Sequence, residues 1–133
     1  MNSLLTIGDL EREADIRASA IRYYESIGLL PNPKRVNGQR RYTSQVLDQI
    51  KFIKIAHSAG FNNQEVIILL EGFDQQTAPS DRWKQMASTK RVELEEKKNQ
   101  INAMLDILNS GLQCKCLTWT ECFAKVKPNG KCD

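Results

Sequence analysis

Apolar residues recur along this chain in short helical stripes separated by clear stops, and one longer stripe follows them. Ile7, Leu10 and Ala14 lie at helical spacing behind Thr6 or Ser3, either of which can cap a helix from about Ile7 to Ala14. A second helix is expected from Ala20 to Ile27, with Ser19 near its start and Gly28 placed for a left-handed cap. Two short helices joined by a tight turn make a helix-turn-helix unit. Leu29-Leu30-Pro31-Asn32-Pro33 then stops helix growth, because proline fixes φ and lacks a donor. Lys34 to Tyr42 reads as a hairpin turning at Asn37-Gly38, residue types that accept the positive φ such turns demand.

A third helix follows from about Gln45 to Ala59, capped by Thr43 or Ser44, with Val46, Leu47, Ile50, Phe52, Ile53 and Ile55 as its core face and Gly60 as its stop. Asn62 or Asn63 caps a fourth helix that bears Val66, Ile67, Leu69 and Leu70 and ends near Gly72. A polar connector, Asp74 to Ser80, leads into the longest helical segment, Asp81 to Asn109, closed by Ser110-Gly111. There Leu94, Ile101 and Leu108 recur every seven residues, Met104 fills an intervening position, Ala87 extends the pattern backwards and Lys97 interrupts it. This short coiled-coil stripe has no room inside a small head. It needs a partner, most simply a second copy; a helix folded back on its own head is the alternative. One more turn is expected at Phe123 to Val126, then a mobile tail from Pro128 to Asp133. The chain is thus mainly α: a winged helix-turn-helix head (1–73), a connector (74–80), a dimerisation helix (81–110) and a cysteine-bearing loop and tail (111–133).

Net charge adds little: 19 Lys and Arg stand against 16 Asp and Glu, so no polybasic tail announces nucleic acid. The distribution says more, since Lys34, Arg35, Arg40, Arg41, Lys51 and Lys54 face a single acid, Asp48, over that stretch. Arginines on a rigid ribbon beside a helix-turn-helix suit phosphates along a groove edge; a solvated basic turn is the bland alternative. No apolar run reaches membrane length, and charges interrupt Leu4-Leu5-Thr6-Ile7 at once, so a cytoplasmic protein is expected. Disulfides rarely persist there. Three of the four cysteines fall within nine residues, Cys114, Cys116 and Cys122, which points to metal ligands or redox sensors. His57, the only histidine, has no second ligand at helical spacing and reads as structural. No nucleophile–base constellation or carboxylate pair suggests an enzyme. A zinc-stapled structural protein is the competing class.

The stretches Thr6-Ile7-Gly8-Asp9-Leu10, Ala20-Ile21-Arg22-Tyr23-Tyr24-Glu25-Ser26-Ile27-Gly28-Leu29 and Gly38-Gln39-Arg40-Arg41-Tyr42 resemble the MerR family of transcriptional regulators, over nearly the whole chain. Within it, Ile53-Lys54-Ile55-Ala56, Trp83-Lys84-Gln85 and the Cys-x-Cys-Leu-x4-Cys loop are similar to SoxR-type redox regulators. The resemblance implies a homodimer joined by an antiparallel coiled coil, its heads in successive major grooves of promoter DNA. It implies distortion of that DNA so that RNA polymerase can use the promoter. By the same resemblance the second helix, with Arg17, Ser19 and Tyr23, enters the groove. Arg22, Tyr24, Arg35, Gln39, Arg40, Arg41 and Tyr42 would hold the backbone.

The resemblance also sets the choices at sulfur. A SoxR-type [2Fe–2S] centre takes four cysteines, the first at the position of Gly111 here, which leaves Cys132 as the substitute. The Cys-x7-Cys spacing of Cys114 and Cys122 is similar to copper-sensing members and suits Cu(I). Divalent-ion sensors of the family add a cysteine from the partner's long helix, where this chain has Ser80; Cys116 could supply a third sulfur instead. Direct thiol oxidation is the remaining stimulus. Trp119 is placed to shield the sulfurs or to pack on the other subunit, and Lys115, Lys125 and Lys127 to offset thiolate charge.

Overall fold

The computed structural model describes residues 4–72 and 74–132; Ser3, Phe73 and Asp133 lie outside the described residues. Mainly helical, the chain divides into two compact units, one up to Met86 and one from Ala87.

In the first unit, α1 (Ile7–Ala14) starts at a reciprocal cap. The Asp9 N–H donates to Thr6 Oγ1 at 3.1 Å and the Thr6 N–H to Asp9 Oδ2 at 2.9 Å. Asp15, at φ 50, ends α1, and Lys54 Nζ reaches across to the carbonyls of Ala14 and Asp15 at 2.7 and 2.8 Å. One cation of the basic stretch is thereby committed to capping a helix C-terminus. Helix α2 is Ala18–Ser26 rather than Ala20 to Ile27, because Arg17 already has the extended N-cap backbone and Ile27 leaves the helix before left-handed Gly28. Strands β1 (Lys34–Val36) and β2 (Gln39–Arg41) pair with Arg35 opposite Arg40, and Asn37 and Gly38 both take positive φ, 55° and 80°. Helices α3 (Ser44–Ser58) and α4 (Asn63–Glu71) complete the head, α4 through a second reciprocal cap between Asn62 and Glu65.

Leu10, Ile21, Ile50, Ile53, Ala56 and Val66 are fully buried at the centre. The buried stripe of α3 runs through Val46, Leu47, Ile50, Ile53 and Ala56, which turns Ile55 outward. Ile55, expected in the core, is exposed. Helix α5 (Pro79–Leu112) begins with Pro79 at a position that needs no donor, two residues ahead of the expected Asp81. Trp83 meets Phe52 and Phe61 with ring centroids 5.8 and 5.6 Å apart. Arg82 gathers the carbonyls of Leu70, Asp74 and Thr77 at 2.7, 3.1 and 3.0 Å, tying the connector to the foot of α5.

The wing is held by one buried carboxylate. Glu25 on α2 accepts from Tyr42 Oη at 2.9 Å and pairs with Arg40 Nε at 3.2 Å, its side chain 7% exposed. Tyr42 also pairs with Leu5 through two backbone bonds, at 2.7 and 2.8 Å. Its ring is core, 2% exposed.

In the second unit α5 runs on through Gly111, so the expected stop at Ser110-Gly111 is passed and the helix ends at Leu112. Leu94, Ile101, Met104 and Leu108 of the seven-residue stripe are all exposed. Helix α6 (Trp119–Lys125) replaces the single expected turn: Thr118 Oγ1 accepts the Glu121 N–H at 3.1 Å, a cap that starts the helix four residues ahead of the expected Phe123, so Cys122 sits on a helix rather than in a loop. The tail is not loose either. Val126 pairs with Cys132, Lys127 N–H donates to the Lys131 carbonyl at 2.8 Å, and Gly130 N–H donates to the Lys127 carbonyl at 2.8 Å. Among the described residues no helix is long and apolar enough to cross a membrane.

Burial first, then the bond to Glu25 and its charge, push the Tyr42 phenol up to about 12. A raised folded pKa means the stabilisation is whole below the unfolded value near 10 and is lost as pH climbs through the folded one. Urea unfolding is expected to show stability falling by roughly 2–3 kcal/mol between about pH 10 and 12 from this group. Tyr42→Phe should flatten that part of the fall while costing about 1–3 kcal/mol at pH 8, where Glu25 loses a donor.

Candidate nucleic-acid interface and thiol centre

Helix α2 turns Ile21 into the core and presents Ser19, Arg22, Tyr23 and Ser26 on its outer face, at successive helical spacings. Arg17 stands exposed at the N-cap, where its side chain caps no backbone donor. The exposed Arg35 and Gln39 and the half-buried Arg40 and Arg41 come from the wing. Between helix and wing lies a cleft of about 440 Å³ lined by Arg22, Arg35, Arg40 and Arg41, with Gln39 and Gly38. Four guanidinium groups from two elements thus border one concave surface, which suits a phosphate backbone. Arg35 Nη1 donates to the Gly38 carbonyl at 3.1 Å, and Arg41 to the Arg40 carbonyl and Gln39 Oε1 at 2.8 Å each, which stiffens the ribbon.

Two residues expected at this face stand elsewhere. Tyr42 is buried, its hydroxyl taken by Glu25, so it supports the wing from beneath. Tyr24 is half-buried: its ring lies edge-on to His57, 6.1 Å away, and its carbonyl accepts the N–H groups of Leu29 and Leu30. His57 in turn lies 2.6 Å from Asn63 Oδ1, in the structural role expected of it. Ser26 stands seven residues after Ser19 on the same outer face, its hydroxyl donating to the Tyr23 carbonyl at 2.6 Å.

At the other chemical centre, the sulfurs of Cys114, Cys116 and Cys132 lie within 4.8 Å of one another, and Cys114 and Cys132 are 4.0 Å apart. The Cys116 N–H points at Cys114 Sγ, 3.5 Å away. That backbone donor, with the neighbouring thiols, holds the Cys114 pKa below its usual value. Cys116 is pushed up chiefly because it donates to Cys114, and Cys132 is pushed up to about 12 by burial and then by bonds to the other three cysteines. Of these three sulfurs Cys114 therefore gives up its proton most readily. Cys122, on α6, flanks Cys132 and with Cys114, Cys116, Leu117 and Trp119 lines a cavity of about 440 Å³.

The expectation centred on Cys114 and Cys122, whereas the three-sulfur group is completed by Cys132. Its signal was present in Asn129-Gly130, a turn pair that returns the chain toward α5. Trp119 is exposed and stacked on Phe123, centroids 5.8 Å apart. Lys125 is paired with Glu121 at 3.1 Å, which raises its pKa.

A helix-turn-helix head with a basic wing, and a long helix leading to clustered thiols, is the plan of a DNA-binding regulator. Comparison with known proteins makes the class specific. Residues 5–72 match the family described as MerR HTH family regulatory protein, and residues 47–110 match MerR, DNA binding. The HTH-type transcriptional activator SoxR homolog of Chromobacterium violaceum is 29% identical over 90% of this chain and 82% of its own. The HTH-type transcriptional regulator CueR of Salmonella typhi is 30% identical over 78% and 76%. Among solved structures, the transcription regulator PbrR691 from Ralstonia metallidurans CH34, in complex with lead(II), superposes with a TM-score of 0.61 at 26% identity, covering 88% of this chain and 93% of that one. The chain belongs to the MerR family of DNA-binding transcription regulators, which are not enzymes.

Replacing Arg22 and Arg41 by alanine is expected to weaken DNA binding on any sequence and to reduce the salt slope by about one per lost phosphate contact. Fluorescence anisotropy at several salt concentrations measures both, and an unchanged slope would remove the cleft from the interface.

Proposed function

We propose that this chain is a cytoplasmic, homodimeric regulator that sits on promoter DNA and responds to a thiophilic metal ion through its C-terminal cysteines. The observation that carries the reading is the convergence of three sulfurs, in a chain of a DNA-binding family, a few residues beyond the end of α5. Soft thiolates select soft ions, and the lead(II) complex of PbrR691 supports the same chemistry. In this reading Arg17, Ser19, Arg22 and Tyr23 address the groove, and Arg35, Gln39, Arg40 and Arg41 hold the backbone. Loading the thiols alters how the paired heads distort the duplex, and RNA polymerase reads the altered promoter.

The exposed stripe of Leu94, Ile101, Met104 and Leu108 supports dimerisation, because such a row gains stability only when a second helix covers it. A [2Fe–2S] centre is less well supported. It needs thiolates as two pairs, one for each iron, whereas Cys114, Cys116 and Cys132 gather around a single point.

The decisive experiment is run-off transcription from the chain's own promoter, with and without metal. Cys114→Ser should abolish the metal response while operator affinity stays within about threefold, since the heads are untouched; a preserved response would exclude the thiol centre as the sensor. Visible charge-transfer bands and iron in protein purified without oxygen would move the assignment to an iron–sulfur centre. Ile101→Asp combined with Leu108→Asp should yield monomers in sedimentation and weaken operator binding by at least about tenfold, because each half-site then binds alone.

A further inference from the structure

The tail turn is the feature the sensor reading leaves unexplained, and any role for it in metal binding rests on that reading. We infer that the turn from Val126 to Cys132 is a latch. In it Cys132 joins Cys114, Cys116 and Cys122 as the closing ligand of a site for one soft divalent cation, held within a single chain.

Sulfur spacing is the first support. Four thiolates at about 2.3 Å from a tetrahedral ion stand about 3.8 Å from one another. Cys114 and Cys132 are already 4.0 Å apart, and Cys116 lies within 4.8 Å of both. A two-coordinate ion between Cys114 and Cys122 alone would leave the Cys132 sulfur beside it without a role.

The path of the tail is the second and independent support. Gly130 has φ +86° and presses on α5 so closely that an added Cβ would lie 2.8 Å from the Ile107 carbonyl oxygen. Asn129 Oδ1 accepts the Lys131 N–H at 3.0 Å, and the Val126–Cys132 pairing closes the turn. Such contact fixes where Cys132 can stand relative to the last turns of α5. Lys115 and Lys131 border the cleft beside Cys114 and Cys132 and offset the charge that a divalent ion with four thiolates retains.

As each sulfur–metal bond forms, the S–H proton leaves to solvent and no electron changes hands. Filling the site then adds metal bonds to a turn already seated on the end of α5, so occupancy reinforces order at the tip of the long helix.

Cadmium chloride titrated into the reduced full-length chain without oxygen tests this, because sulfur-to-cadmium absorbance per bound ion counts thiolates. The wild-type chain should bind one ion with the intensity of four. Cys132→Ser should lose about a quarter of that intensity and bind at least about tenfold more weakly. Gly130→Ala, which keeps every thiol, should also weaken binding, because its methyl group displaces the turn. Either variant titrating as wild type overturns the latch. If Cys114→Ser abolishes binding while Cys132→Ser does not, the sensor stands and the latch falls. A wild-type chain that ignores cadmium ends both.

Discussion

Glu25 is the constraint on which the arrangement of helix α2 and the wing depends. A carboxylate withdrawn from water is costly unless its oxygens are paired, and the partners here are Tyr42 and Arg40, both from the wing. The wing is only two strands of three residues, too little to persist alone. Anchoring it on α2 through Glu25 sets the distance between Arg22 and the wing arginines, and so the shape of the cationic cleft. Arg40 consequently has two duties: its guanidinium borders the cleft and also neutralises the buried charge.

The same economy of cations runs through the rest of the head. A count of charges between Lys34 and Lys54 suggests a uniformly basic face, yet Lys54 closes α1 and Arg40 closes on Glu25. The cationic surface left open is therefore narrower than composition implies, and is drawn from α2 as well as from the wing. Arg82 performs a similar internal service, collecting three carbonyls where the connector meets α5.

In the second unit the governing constraint is steric. Gly130 permits backbone to approach backbone at Ile107, and this approach delivers a thiol separated by nine residues of chain from the nearest other cysteine. Apolar stripe and thiol centre lie on one continuous stretch of chain, so in the proposed reading a change in sulfur chemistry would act on the helix that pairs two protomers.

Features of short range could be read from residue order alone. Thr6 with Asp9 and Asn62 with Glu65 announce helix starts, and Asn37-Gly38 announces a hairpin. In each case the partners lie within one turn, where sequence spacing is spatial spacing. Thr118 with Glu121 belongs to the same class, and overlooking it moves the expected start of α6 four residues too far along the chain. Folding alone decided the roles of Tyr42, Arg40 and Lys54, whose partners lie 17, 15 and 39 or 40 residues away. It decided too that Ile55 faces outward and that Cys132 completes the sulfur group. Those outcomes depend on which surfaces the helices bury against one another, and periodicity along a single helix holds no record of its neighbours.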